Sequence, residues 1–306
     1  MGIRVGTASW TDKTLIDSKL FYPKGCTSAE ARLRYFSSQF NLVEVDSSYY
    51  AMPSGINARL WVERTPADFV FNIKSFRLFT GHQTPRIALP KDIEAALPKS
   101  SKKNVYLKDF PPELLDEMWR RYAEGIRPLK EGGKLGAVHF QFAPWVTSAP
   151  EGQALVRECV GRLPDYTLAV EFRNKSWFDG EERTHETLAL ERELAVVNVT
   201  VDEPQGMPNT IPAVWGVTHP SKALVRLHGR NHETWNIKGA TAASDRFNYD
   251  YTDEELESLA GNIRNLAASV ADAQVVFNNN FADQGIRNAR SLIKILGLPH
   301  PSDDLF

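Results

Sequence analysis

Residues 168–173 read Leu168-Ala169-Val170-Glu171-Phe172-Arg173, an apolar run closed by a carboxylate and a guanidinium spaced two apart. Side chains alternate faces along a strand, so Glu171 and Arg173 leave the same side of it. The same design recurs along the chain. LVEVD closes on Glu44 and Asp46, FVFNIK on Asn72 and Lys74, AVHFQ on His139 and Gln141, VVNVTVD on Thr200 and Asp202, and ALVRLH on Arg226 and His228. Each pair is expected to aim at one place. Apolar strands with polar C-terminal tips, separated by helices, are the pattern of a parallel barrel whose site lies at its C-terminal mouth.

The strands are predicted at residues 3–8, 41–46, 69–74, 135–141, 167–173, 195–201, 222–228 and 273–279. Amphipathic stretches separate most of them: SAEARLRYFSSQF with Ser28 as N-cap, GINARLWVERT, PELLDEMWRRYAEGI, EGQALVRECVGRL, ETLALERELA, TDEELESLAGNIRNLAASV and QGIRNARSLIKIL. Thr252 followed by Glu255 forms a capping-box pattern. The alternation predicts an α/β fold, a (β/α)8 TIM barrel, rather than an open doubly wound sheet. Two connections depart from it. Residues 75–134 form an elaborated connection after strand three, and the prolines of residues 203–221 predict an irregular one after strand six. No Gly/Ser linker, repeat or low-complexity tract divides the chain, so residues 1–306 are expected to form one barrel domain.

A formal charge of −2 over 306 residues gives no overall pull toward nucleic acid or membrane. Cys26 and Cys159 are far apart and lack a partner pattern, which argues against a disulfide framework or a cysteine-based metal site. The N-terminus enters a strand directly, and no apolar run approaches the ~18 residues of a membrane span. A soluble cytoplasmic protein without membrane attachment is expected.

Seven blocks, VGTASW with FYP, VEVDSSYYAMP, FVFNIKSFRLFTGH, HFQFAP, VEFRNKSW, LVRLHGR and VVFNNNFADQGIRNA, occur in an order that resembles the family called domain of unknown function 72, or YecE-like proteins. The resemblance runs over nearly the whole length. It implies a TIM barrel and no particular reaction, since fold alone does not transfer function. HFQFAP departs from the family's commoner proline pair, and TDKTLIDSKL lacks its usual aromatic and glycine residues.

Glu171, His228 and Lys74 are the catalytic candidates. Glu171 becomes a general acid or base if it is desolvated and incompletely paired; otherwise it holds Arg173 or Arg226 in a structural network. His228 carries an imidazole that titrates near neutral pH. Lys74 suits stabilisation of developing negative charge better than Schiff-base chemistry, because neighbouring carboxylates favour its charged form. Arg173 and Arg226 supply planar forks for an anion, and Asn278 and Asn279 supply amide donors beside strand seven, where TIM barrels commonly bind phosphate. Gln141, Glu44, Asp46 and Asp202 complete the polar ring. Among the loop aromatics, Tyr50 and Trp177 are expected to line the pocket, others to pack a lid. Arg77 and His82 extend the polar edge of strand three into a loop or else lie on a solvated loop surface, and Thr7 and Ser9 read as hydrogen-bonding groups at the mouth.

The carboxylates and imidazoles include ligand types for a divalent metal, but no HExxH or DxDxDG pattern organises them, and the cations at the mouth disfavour one. No GxGxxG follows the first strand, and neither GxxxxGK[ST] nor GxSxG occurs. The favoured reading is an enzyme or binding protein for an anionic or polyhydroxylated small molecule, such as a phosphorylated sugar or nucleotide. Two alternatives predict different structures. A metal-dependent phosphodiesterase acting on nucleic acid requires a metal and a basic groove, whereas a non-catalytic scaffold requires a closed mouth with every charge paired.

Overall fold

The computed structural model describes residues 2–237 and 243–299. Eight parallel strands close a barrel in sequence order: β1 (Gly2–Ala8), β2 (Leu42–Val45), β3 (Val70–Lys74), β4 (Leu135–Gln141), β5 (Leu168–Glu171), β6 (Val197–Asp202), β7 (Lys222–Leu227) and β8 (Asp272–Phe277), with β8 pairing back onto β1. This is the expected TIM barrel. Its strands are buried on both faces, as parallel strands inside a ring of helices must be.

The helices start where the side chains allow. Ser28 accepts a hydrogen bond from the Ala31 amide at the head of Ala29–Gln39, and Thr252 and Glu255 complete a reciprocal capping box on Asp253–Ala267. At the β1–β2 seam the backbones approach so closely that a Cβ on Gly6 would lie 1.9 Å from the Leu42 carbonyl oxygen. Only glycine fits there.

Both irregular connections are present where expected. Residues 75–134 hold a short antiparallel pair, Thr84–Pro85 with Asn104–Val105, a short helix Lys91–Ala96, and the long helix Pro112–Glu131. The long helix is fastened by Trp119 stacked on Phe79 at 3.7 Å. Residues 203–221 contain no helix. They are tied down by the outward side chains of β6: the Asn198 amide and the Thr200 hydroxyl both donate to the Val214 carbonyl, at 3.0 and 2.8 Å. Among the described residues no helix is long and apolar enough to cross a membrane.

Candidate functional site

Register decides which strand-end side chains enter the barrel. Ala8, Glu44 and Asn72 lie side by side, as do Lys74 and His139, Gln141 and Glu171, and Val201, Arg226 and Val276. Neighbours in register on parallel strands face the same way, so these residues point inward. Arg173, His228 and Asn278, each two residues beyond an inward position, follow them. Asp202 is in register with Leu227 on the outward face.

Arg226 is fully buried and forms the hub of the floor. Its Nη1 donates to Glu171 Oε2 at 2.6 Å and its Nη2 to Glu44 Oε1 at 2.7 Å. His139 bridges the same carboxylates, with ring nitrogens 3.1 Å from Glu44 and 3.2 Å from Glu171, in contact but off the hydrogen-bond axis. Burial alone would raise both carboxyl pKa values. Arg226, aided by His139, reverses this and holds Glu44 and Glu171 below the ordinary carboxylate range.

Arg173 forms the next layer. Its Nη1 lies 3.2 Å from Glu171 Oε1 and 2.8 Å from Glu203 Oε2. Beside it His228 Nδ1 lies 2.7 Å from the Asn278 amide nitrogen, and Nε2 lies 3.3 Å from Arg226 Nη1, 3.5 Å from Arg173 Nη1 and 3.6 Å from Glu171 Oε1. Burial, opposed by the Glu171 contact and reinforced by Arg226, lowers the His228 pKa to about 3. The imidazole is uncharged at neutral pH.

Above this network opens a cavity of about 760 Å³. Lys74, Arg173, His228, Asn278, Gln141, Asp46 and Tyr50 line it, together with Ser9. Lys74 Nζ lies 3.2 Å from Asp46 Oδ1. The backbone beneath Lys74 is pinned by the hydroxyls of Ser48 and Tyr122, which both donate to its carbonyl. Burial first, then the proximity of Glu44, raises the Asp46 pKa, against the pull of Lys74.

Several expected site residues stand elsewhere. Glu44, Glu171 and Arg226 lie beneath the cavity rather than on its wall. Asp202 points out of the barrel, where Arg230 grips it through Nε and Nη2 at 2.7–3.1 Å and the Tyr251 hydroxyl donates to it at 2.6 Å. Asn279 also faces outward; its amide donates to Tyr249 O and Asn288 Oδ1. Trp177 is buried outside the barrel, stacked on Phe172 at 3.8 Å with its indole N–H on the Val146 carbonyl. Thr7 faces outward as well. Gly229, just beyond β7, packs tightly: its φ is +85°, a Cβ would meet Tyr249 at 2.5 Å, and its N–H donates to the Tyr251 hydroxyl.

Loops supply the residues that strand reading missed. His82 lines the cavity, with its Nδ1 2.9 Å from the Thr80 hydroxyl, and burial followed by repulsion from Arg77, Lys74 and Arg173 lowers its pKa to about 3. Arg77 packs over the Tyr49 ring at 5.1 Å rather than extending into solvent. Asn209, Asn280, Arg246 and Phe247 also reach the cavity. Arg246 packs 4.0 Å over the Trp235 ring, and burial plus the neighbouring Arg173 charge lowers its pKa to about 10. The block FVFNIKSFRLFTGH contained the only sequence signal for His82, whereas Arg246 lies in no strand-end pattern.

Residues 4–304 match the family described as protein of unknown function DUF72. The UPF0759 protein YunF of Bacillus subtilis is 30% identical over 300 residues, covering 97% of this chain and 96% of that protein. Among solved structures, a DUF72 family protein from Enterococcus faecalis is similar with a TM-score of 0.79 at 26% identity, covering 98% of this chain and 97% of the other. Another, from Thermotoga maritima, gives 0.73 at 26% identity, covering 97% of this chain and 100% of the other. Matched along its length and sharing the barrel of these relatives, the chain belongs to the DUF72 family.

Proposed function

We propose that the cavity at the barrel mouth binds an anionic or polyhydroxylated small molecule, with Lys74, Arg173 and Arg246 facing its negative charge. The observation that carries this reading is a separation of charge. Lys13, Lys74, Arg173 and Arg246 line the cavity against Asp12 and Asp46, whereas Glu44, Glu171 and Glu203 lie behind its wall. Glu171 and Glu203 hold Arg173 from behind the wall, and Asp46 holds Lys74 beside the opening. Gln141, Asn209, Asn278 and Asn280 add amide groups suited to hydroxyls.

Where a proton is transferred, Asp46 is better placed than Glu171. It lines the cavity and its pKa is raised toward the range in which a carboxyl exchanges protons, while Glu171 is locked in its ionised form by Arg226. His228 presents a neutral ring beside the cations, and Lys74 stabilises charge developing near Asp46.

Thermal unfolding with inorganic phosphate, glucose 6-phosphate and glucose tests the binding reading at fixed ionic strength. The two phosphates are expected to raise the midpoint with concentration in the wild type, and Lys74→Met and Arg246→Met to blunt that rise. Absence of a shift with all three compounds, or a phosphate shift in both variants as large as that of the wild type, overturns it.

A further inference from the structure

We infer that the negatively charged ligand also carries a ring with an apolar face, which stacks on Trp145 or Tyr50 at the rim of the cavity. This inference rests on the anion-binding reading of the same cavity and narrows its ligand class. Among the described residues the exposed large apolar side chains are Leu20, Tyr50, Ile56, Ile87, Trp145 and Ile237. The two aromatic ones both stand at the mouth. Tyr50 is 53% and Trp145 57% exposed, so among the described residues neither is covered by a lid.

They are the ends of one row of rings. Tyr50 meets Tyr49 at 4.9 Å, Tyr49 meets His82 at 5.3 Å, and His82 meets Trp145 at 5.9 Å, all edge to face. In an edge-to-face pair one ring offers its rim and the other a single face, so each end member keeps at least one face outside its pair. Tyr50, Tyr49 and His82 line the cavity directly, and Trp145 follows Pro144, which lines it too. The Trp145 ring is held further by its indole N–H, which donates to the Gly81 carbonyl at 3.0 Å. A fixed, exposed indole loses little freedom when another ring covers it, which is the condition for a stacking platform.

Cations lie directly inside the row. Lys74 Nζ is 5.3 Å and the Arg77 guanidinium 5.1 Å from the Tyr49 ring centre. A molecule whose ring covers Trp145 or Tyr50 can therefore extend an anionic group inward toward Lys74 and Arg173. A nucleobase and the apolar face of a pyranose share this stacking chemistry.

Isothermal titration with three phosphate monoesters separates the parts of the inference. Glycerol 3-phosphate carries the anion without a ring, glucose 6-phosphate adds a pyranose, and adenosine monophosphate adds a nucleobase. At least one ring-bearing ester is expected to bind about tenfold tighter than glycerol 3-phosphate in the wild type, the scale of one stacked ring. Trp145→Ala is expected to remove that advantage without changing glycerol 3-phosphate affinity, Trp145→Phe to restore most of it, and Tyr50→Ala to reduce it. Both positions are exposed, so circular dichroism of each variant is expected to match the wild type. The tighter of the two ring esters identifies the ring as base or sugar. Equal affinities for all three esters, or a ring advantage that survives in Trp145→Ala and Tyr50→Ala, overturns the ring inference and leaves the anion reading intact. Failure of all three to bind overturns the anion reading beneath it.

Discussion

Arg226 stands between two carboxylates in a place water does not reach. Removing one partner of such a group leaves the others charged and unpaired, which outweighs any gain from a simpler side chain. Arg226→Met is expected to destabilise the fold by roughly 3–5 kcal/mol, read from urea unfolding at neutral pH. Glu44 and Glu171 have lowered pKa values, so the stability they contribute is present above the ordinary 4.5 and is lost as pH falls through their lower folded values. His82 acts at higher pH. The unfolded chain takes up its proton near 6.5 and the folded chain only near 3, so stability declines as pH falls through that window. His82→Gln is expected to reduce the pH dependence of the unfolding midpoint between those values, with His228, whose pKa is lowered alike, retaining its own share; an unchanged slope would place the protonation elsewhere. Glu191 titrates with the opposite sign. It is buried, neither carboxyl oxygen has a hydrogen-bond partner among the described residues, and burial raises its pKa well above the ordinary value. Its neutral form suits the fold, so stability is expected to fall as pH rises above about 4.5, and Glu191→Gln to remove that fall. Urea midpoints of both proteins across the pH range measure the difference.

At the scale of elements, the seams between strands are set by what the backbone permits. Gly6 faces the Leu42 carbonyl so closely that Gly6→Ala must open the β1–β2 seam. A loss of about 1–3 kcal/mol is expected, with amide exchange accelerated first in β1 and β2, whereas a neutral substitution would mean that the seam yields. β6 shows what strand pattern conveys and what it leaves open. VVNVTVD predicts an extended segment, and the segment is extended. Thr200 and Asp202, expected at the mouth, face outward as Asn198 does: Asn198 and Thr200 fasten the proline-rich connection, and Asp202 holds Arg230. A strand of an open antiparallel sheet declares its buried face by alternation. A barrel strand is buried on both faces, so its apolar residues do not reveal the phase, and the register with β7 determines it.

For the whole molecule, ligand binding and stability are linked, because a compound that binds only the folded barrel stabilises all of it. At a hundredfold excess over its Kd, such a ligand is expected to add about 2.7 kcal/mol to the free energy of unfolding. The increment should vanish in Lys74→Met if that residue carries the contact, and matched denaturation curves measure it. The order of strands and helices, the two irregular connections and the inward set Glu44, Lys74, His139, Gln141, Glu171, Arg173, Arg226 and His228 were legible in the sequence. Those features depend on short-range periodicity, on proline chemistry and on parity within one strand. Closure of the barrel decided the rest. It buried Glu171 beneath Arg226 instead of exposing it, turned Asp202 and Asn279 outward, and placed Trp177 behind the wall. It also brought His82, Asn209, Arg246 and Trp145 from separate loops to one opening. The sequence by itself determined which segments are strands and where their polar ends lie; only the tertiary structure decided which ends share a cavity, because register and loop position depend on contacts between residues far apart in the chain.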